Sequence, residues 1–218
     1  MTDQGTGSPD HSDGQTEGRI LEAARQVFMR RGTAGARMQE IAEAAGVNQA
    51  LLHYYFRTKD RLAAAVFREA AGRLGPAVAR VLGSDRRLED KVTDFVELYI
   101  DTVRQHPFIP GYILAEMHHH PERLAILAAG AGGASPAILA RPLLEKLGAQ
   151  LREGALEGRY RPIGPEQFLV NVVALCVMPF AARPALVLAL GLDDESFDHF
   201  LDERRAELPR FIMGALRP

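Results

Sequence analysis

The apolar residues of this chain recur at helical spacing from residue 19 almost to its end, and no segment shows the strict alternation typical of a half-buried strand. Stretches rich in glycine or proline separate the periodic segments. The pattern therefore predicts an all-α fold, with loops at 130–134 and 158–164. The predicted helices cover residues 19–31, 38–45, 49–56, 59–74, 88–105, 111–119, 121–129, 136–157, 165–182 and 195–216.

The first three predicted helices are typical of a helix-turn-helix with its own small core. That core is expected to contain Ile20, Ala24, Val27, Phe28, Ile41, Ala45, Val47, Leu52 and Phe56. Gly46 allows the sharp turn between the second and third helices, and Asn48 is a natural N-cap for the third. We therefore expect a disordered acidic tail over 1–18, a three-helix helix-turn-helix domain over 19–62, and a larger helical domain over 63–218.

Charge is distributed unevenly along the chain, although the formal net charge is only −2. Residues 19–75 carry ten basic and five acidic side chains, whereas residues 1–18 carry four acidic side chains and no Lys or Arg. The remainder has 16 basic and 19 acidic residues. A basic segment within an otherwise acidic chain is typical of a small phosphate-binding module joined to a different kind of domain.

The single cysteine, Cys176, excludes an internal disulfide framework and a cysteine-rich zinc site. The first 18 residues lack the basic start and apolar run of a signal peptide. The longest strongly apolar run, 172–182, contains Pro179 and falls short of the roughly 20 residues that span a bilayer. We expect a cytoplasmic protein with no membrane partner and no cofactor.

The stretch from Met38 to Lys59 carries the most informative motif. It leaves hydrogen-bonding and aromatic side chains on the outside of its second helix, a surface suited to base edges and phosphates. Together with the preceding helix it resembles the DNA-binding domain of the TetR family of bacterial regulators. The resemblance lies in Ile41-Ala42, Ala45-Gly46-Val47, His53-Tyr54-Tyr55-Phe56, Lys59 and Leu62. A packing helix without a DNA role is the alternative.

The resemblance implies a DNA-contacting role for particular residues. Gln49, Ala50 and Leu51 correspond to the base-facing start of the recognition helix. His53, Tyr54 and Tyr55 correspond to phosphate and base contacts, and Lys59 to a phosphate contact.

Three further residues complete the predicted DNA-contacting set: Arg37, Gln39 and Asn48. Arg37 stands where the family usually has Thr or Ser, so the second helix loses a hydroxyl cap, at a cost of up to about 1 kcal/mol. Its side chain either reaches DNA or is merely solvated. His53 stands where Tyr is common, and it can still donate to a phosphate.

The resemblance also implies an effector pocket in the larger helical domain. An apolar lining with a few polar groups is expected from Phe95, Tyr99, Tyr112, Glu116, Met117, Cys176 and Phe180. Ordinary core packing is the alternative for each of them. Residues 118–120 are consecutive histidines, which point about 100° apart on a helix and do not converge on one ion, so no metal site is expected.

These features predict a dimeric, ligand-responsive transcriptional regulator, a repressor released from a palindromic operator by a small apolar or amphipathic molecule. Helices 166–182 and 195–213 are expected to pair with their copies, so that two recognition helices meet double-stranded DNA. Two alternatives stay open: a DNA-binding adaptor or architectural protein without an effector, and an enzyme. No catalytic motif supports an enzyme. Activation in place of repression depends on the operator's position.

Overall fold

The computed structural model describes residues 9–125 and 136–218, and within those ranges the chain is helical and has no strand. This confirms the predicted all-α fold. The helices are α1 (Pro9–Gly35), α2 (Met38–Ala45), α3 (Gln49–Tyr55), α4 (Lys59–Leu82), α5 (Leu88–Gln105), α6 (Ile109–His119), a 3-10 turn (Pro121–Arg123), α7 (Pro136–Leu156), α8 (Pro165–Ala181), α9 (Arg183–Leu190) and α10 (Asp194–Gly214).

The chain divides into two compact units, Met1–Glu69 and Ala70–Pro218. In the first unit α1 packs on α2, and α2 packs on α3. The predicted core of this unit is buried: Ile20, Ala24, Val27, Phe28, Ile41, Ala45, Leu52 and Phe56. Val47 is only half-buried. Removing these apolar side chains from water is the main favourable contribution to the stability of the unit.

The first helix starts earlier than predicted, at Pro9 and not at residue 19. The expected tail is therefore helical over residues 9–18, and its first eight residues lie outside the described part of the chain. A hydrogen bond from Tyr55 to Asp13 holds this extension against α3. Acidic side chains near a helix N-terminus also stabilise the helix, because they interact favourably with its dipole. Gly32, directly after the predicted end of the helix at residue 31, breaks α1 with a positive φ of 67°.

The fourth helix continues through Pro76 to Leu82, so the predicted stop at residues 75–76 is wrong. Leu74 and Leu82 are both buried, and eight residues of helix return the chain to the same face. Pro76 and Gly72 are exposed, so water can bind the carbonyl that a proline leaves without its helical partner. Burial on one face therefore outweighs the interruption on the other.

In the second unit α5 packs against α7, α8 and α10. Its buried face consists of Leu88, Lys91, Val92, Phe95, Val96, Tyr99, Ile100 and Val103. Arg104 of α5 connects this helix to α10, because it donates hydrogen bonds to the Asp202 carboxylate at 2.7 Å and to the Asp198 carbonyl at 2.6 Å. Arg205 makes a second connection to Asp101 at 2.9 Å.

A helix that the sequence analysis missed, α9, follows α8 directly. Pro184 stands in its first turn, where a missing N–H costs nothing, and Gly191 ends it in the left-handed conformation. None of the described helices alone is long and apolar enough to cross a membrane; α8 and α9 together reach that length, but they are bent by 71°. The predicted helix over 121–129 begins as a 3-10 turn at Pro121–Arg123 and is α-helical at residues 124–125, and its remainder and the loop at 130–134 lie outside the described residues.

Candidate DNA-binding and effector sites

The turn between α2 and α3 is held by backbone and side-chain hydrogen bonds. Gly46 ends α2 in the left-handed conformation, with φ 63° and ψ 38°. Asn48 caps α3, since its side-chain oxygen accepts from the Leu51 N–H at 2.7 Å. Arg19 of α1 donates to the carbonyls of Ala45 at 2.6 Å and Gly46 at 3.2 Å, which satisfies acceptors at the end of α2. The Gly46 turn, the Asn48 cap and the Arg19 hydrogen bonds together fix the orientation of α3 against α2.

Leu52 is fully buried and holds α3 to its neighbours, which leaves the opposite face of the helix open. The predicted DNA-contacting residues Gln49, Ala50, His53 and Tyr54 are exposed, and Leu51 and Tyr55 are half-buried. Tyr54 is 75% exposed, an unusual degree of exposure for a large aromatic side chain. The structure thus brings these side chains together on one accessible surface of about two helical turns.

The side chains of Tyr54, Tyr55 and His53 have partners within the chain. The Tyr55 ring packs edge-on against Tyr54 with 5.3 Å between the centroids, and its hydroxyl donates to Asp13 Oδ1 at 2.7 Å. This hydrogen bond raises the pKa of the Tyr55 phenol above its ordinary value, because it favours the protonated form. Nδ1 of His53 lies 3.3 Å from the Arg57 carbonyl oxygen, so this end of α3 is also tied down.

Lys59, predicted to contact phosphate, also has a structural role. Its ammonium group donates to the carbonyl oxygens of Ala34 at 2.8 Å and Ala36 at 3.1 Å, between α1 and α2. An ammonium group has three donors, so one N–H remains for a phosphate oxygen. Lys59 therefore connects the start of α4 to the entry of the helix-turn-helix.

We expect Lys59→Met to lower both stability and DNA affinity. Loss of two charge-assisted hydrogen bonds at a half-exposed site should reduce the free energy of unfolding by about 1–2 kcal/mol, measured by urea denaturation. If the third donor binds a phosphate, the slope of log affinity against log salt should also fall by about 0.9 per half-site. An unchanged denaturation midpoint would contradict the structural role, and an unchanged slope would contradict the phosphate contact.

Arg37 and Gln39 lie apart from the exposed face of α3, at the start of α2. Arg37 precedes the helix with extended backbone and supplies no side-chain cap, as its replacement of a hydroxyl residue implies. Gln39 donates its amide to Glu43 at 3.0 Å. Both line an open cleft of about 370 Å³ together with Arg31, Gly35, Glu40 and Glu43. A DNA contact by either residue stays a prediction.

The predicted effector residues fall into two groups in the second unit. In the first, the Phe95 and Tyr99 rings are 6.0 Å apart, and Tyr99 is 6.0 Å from Phe180. All three are buried, as is Cys176. Burial raises the pKa of the Cys176 thiol to about 12 and also raises that of the Tyr99 phenol, so both are protonated at neutral pH.

The second group lies on α6, which packs against α8. Tyr112 and Glu116 are buried and Met117 is half-buried. Glu116 forms an ion pair with Arg123, and each of these side chains is only 4% exposed. The pairing gives Glu116 a structural role, and its effector contact stays a prediction.

Several charged residues that the sequence analysis passed over occupy the interior of the second unit. Lys91 is 1% exposed and donates to Gln150 at 2.9 Å, and burial lowers its pKa. Its spacing from Leu88 and Phe95 could have revealed it, because three and four residues separate neighbours on one helical face. A cleft of about 320 Å³ nearby is lined by Arg87, Leu88, Glu89, Gln150, Glu153, Arg159 and Tyr160. None of the predicted effector residues lines it.

In the part of the chain that the structure describes, no three side chains of His, Cys, Asp or Glu lie close enough together to bind a metal ion. The consecutive histidines at the end of α6 have other contacts. The His118 and His119 rings pack edge-on with centroids 5.1 Å apart. Nδ1 of His120 lies 3.0 Å from Glu122 Oε1.

Comparison with known proteins extends from the first domain to the whole chain. The family model described as "Bacterial regulatory proteins, tetR family" matches residues 20–66, which include α2 and α3. The HTH-type transcriptional regulator RutR of Escherichia coli K12 is 25% identical over 201 residues, 91% of this chain and 89% of RutR. The HTH-type transcriptional repressor NicS of Pseudomonas putida is 26% identical over 82% of each chain.

The fold is also shared with solved structures. A bacterial regulatory protein of the tetR family from Rhodococcus RHA1 superimposes with a TM-score of 0.67 over 93% of this chain and 97% of that protein, at 17% sequence identity. The matched helix-turn-helix, the relatives aligned along nearly the full length and the common fold agree. Residues 20–66 thus match the DNA-binding domain of the TetR family of bacterial transcriptional regulators, and the chain as a whole is similar to regulators with this fold.

Proposed function

We propose that this protein is a ligand-responsive repressor that binds a palindromic operator as a homodimer. The observation that carries the proposal is the open face of α3, where Tyr54 is 75% exposed while Leu52 behind it is fully buried. A rigid helix with hydrogen-bonding and aromatic groups on its free side is suited to the major groove. The relative NicS is a repressor by name, which favours repression over activation.

Dimerisation is proposed through α8 and α10. Both helices bury one face within the chain, through Phe168 and Val172 on α8 and Leu201 on α10. Large apolar side chains are nevertheless exposed on them: Val170 at 62%, Met178 at 51% and Phe211 at 64%. Such exposure on helices that already have a buried face is typical of an association surface. A two-fold pair of recognition helices would then match a palindrome.

The effector is proposed to bind in the second unit near the cluster of Phe95, Tyr99, Cys176 and Phe180. These side chains offer apolar surface with a protonated phenol and thiol as the polar groups, which fits a small apolar or amphipathic molecule. An effector that binds a form of the dimer with the wrong separation of recognition helices would release it from DNA. We also propose that the protein acts in the cytoplasm, where a bacterial regulator meets its DNA.

The proposal is tested by selecting genomic fragments with the purified full-length protein and footprinting the bound sites. We expect enriched fragments to share a two-fold repeat whose half-sites are about one helical turn apart, protected at a stoichiometry of two chains or a multiple of two. A selection that enriches no common sequence would contradict specific repression. Binding by a single chain per site would contradict the dimer.

A further inference from the structure

The helical extension of α1 touches the DNA-facing helix. The Tyr55 hydroxyl donates to Asp13 Oδ1 at 2.7 Å, and Thr16, one turn further along α1, also forms a side-chain hydrogen bond with Tyr55. Tyr55 packs edge-on against the exposed Tyr54 ring. A carboxylate therefore lies one side chain away from the most accessible aromatic group of α3.

The charge of this extension is opposite to that of the residues that follow it. Residues 1–18 contain Asp3, Asp10, Asp13 and Glu17 and no Lys or Arg, whereas residues 19–75 have a net charge of +5. A phosphate and a carboxylate present similar oxygen acceptors to a phenol O–H. Asp13 thus accepts the hydrogen bond that the Tyr55 hydroxyl could otherwise donate to a DNA phosphate.

We propose that Asp13 sets the DNA affinity of this protein by competing with a backbone phosphate for the Tyr55 hydroxyl. The inference rests on the proposed function, because it assigns a regulating residue to the same α3 surface. A carboxylate beside the phosphate backbone also repels it, and this penalty applies to every DNA sequence. This repulsion weakens binding to random DNA and to the operator alike. The base contacts are not affected by it, so they still distinguish the operator from random DNA.

The variant Asp13→Asn tests the proposal, since it removes the charge and leaves a similar shape. We expect it to bind both a selected operator fragment and a random-sequence duplex about three- to tenfold more tightly than the wild type at low salt. Glu17→Gln is the matched control. Glu17 is an exposed acid in the same segment, so this change removes one negative charge without touching Tyr55. We expect it to change affinity less than about twofold.

A double-mutant cycle with Tyr55→Phe separates the contact from general charge. The Tyr55→Phe variant has no hydroxyl that Asp13 could occupy. In this variant, Asp13→Asn should therefore raise DNA affinity by no more than Glu17→Gln does. Asp13→Ala repeats the test with a residue that favours helix, and far-UV circular dichroism with thermal melting checks folding of each variant.

The outcomes are distinct. Equal or weaker binding by both Asp13 variants would overturn the proposal, as would an equal gain from Glu17→Gln. Failure of the proposed function is seen separately in the wild type, as equal affinity for the operator fragment and the random duplex. The ranking of variants on the random duplex is measurable in either case, because that binding is electrostatic.

Discussion

The substitution Tyr54→Ala is expected to weaken operator binding by about 5- to 150-fold per half-site, equivalent to about 1–3 kcal/mol. Tyr54 is the most exposed aromatic residue of α3 and lies among the predicted base and phosphate contacts. Its loss should leave the fold intact, since it is 75% exposed and the core is formed from the opposite face of the helix. Equilibrium binding to a labelled operator fragment measures the effect.

Two controls make this measurement specific. Tyr54→Phe removes only the hydroxyl, so the fraction of the loss that it reproduces belongs to hydrogen bonding and the remainder to the ring. Met29→Ala removes a large side chain that is 53% exposed on α1, outside the α2–α3 pair, and should leave affinity unchanged. If Tyr54→Ala bound the operator as tightly as the wild type, the assignment of α3 as the recognition helix would be wrong.

The substitution Arg123→Met is expected to reduce the free energy of unfolding by about 3–5 kcal/mol, because it leaves the Glu116 carboxylate buried without its cation. Both side chains are only 4% exposed, so water cannot replace the lost partner. The double variant Glu116→Leu with Arg123→Met should recover most of the loss, since a well-packed apolar pair often replaces a buried ion pair at little cost. Chemical denaturation measures all three chains.

Glu122→Gln is the control for this series. Glu122 is adjacent to Arg123 but 70% exposed, and it pairs only with a surface histidine in the contacts described, so its loss should cost less than about 0.5 kcal/mol. A single Arg123 variant within about 1 kcal/mol of the wild type would show that Glu116 does not depend on this pairing. Glu116 would then be a stronger candidate for an effector contact.

The helix-turn-helix could be predicted from the sequence because its signals are local. A glycine at the turn, an asparagine cap and apolar residues three and four apart together indicate α2 and α3, and the structure has them at Met38–Ala45 and Gln49–Tyr55. Helical spacing of apolar residues placed α5 at its observed bounds, Leu88–Gln105. The predicted exposed face of α3 follows directly from where Leu52 must be buried.

Features that depend on distant contacts could not be predicted in this way. The acidic extension was expected to be disordered because its composition is polar, but its helix is supported by Tyr55, 42 residues further along the chain. Pro76 was expected to stop α4, but burial of Leu74 and Leu82 keeps the helix intact. The pairing of Glu116 with Arg123 depends on how the chain turns between α6 and the 3-10 turn, which helical spacing does not predict.

The central claim, sequence-specific recognition by α3, is tested most directly by a competition experiment with the full-length protein. Its affinity for the selected operator duplex is measured at about 150 mM salt against the same duplex with both half-sites scrambled. We predict that the operator binds at least about 10³-fold more tightly and that Tyr54→Ala loses this preference. Equal affinities for the two duplexes at every salt concentration would contradict it.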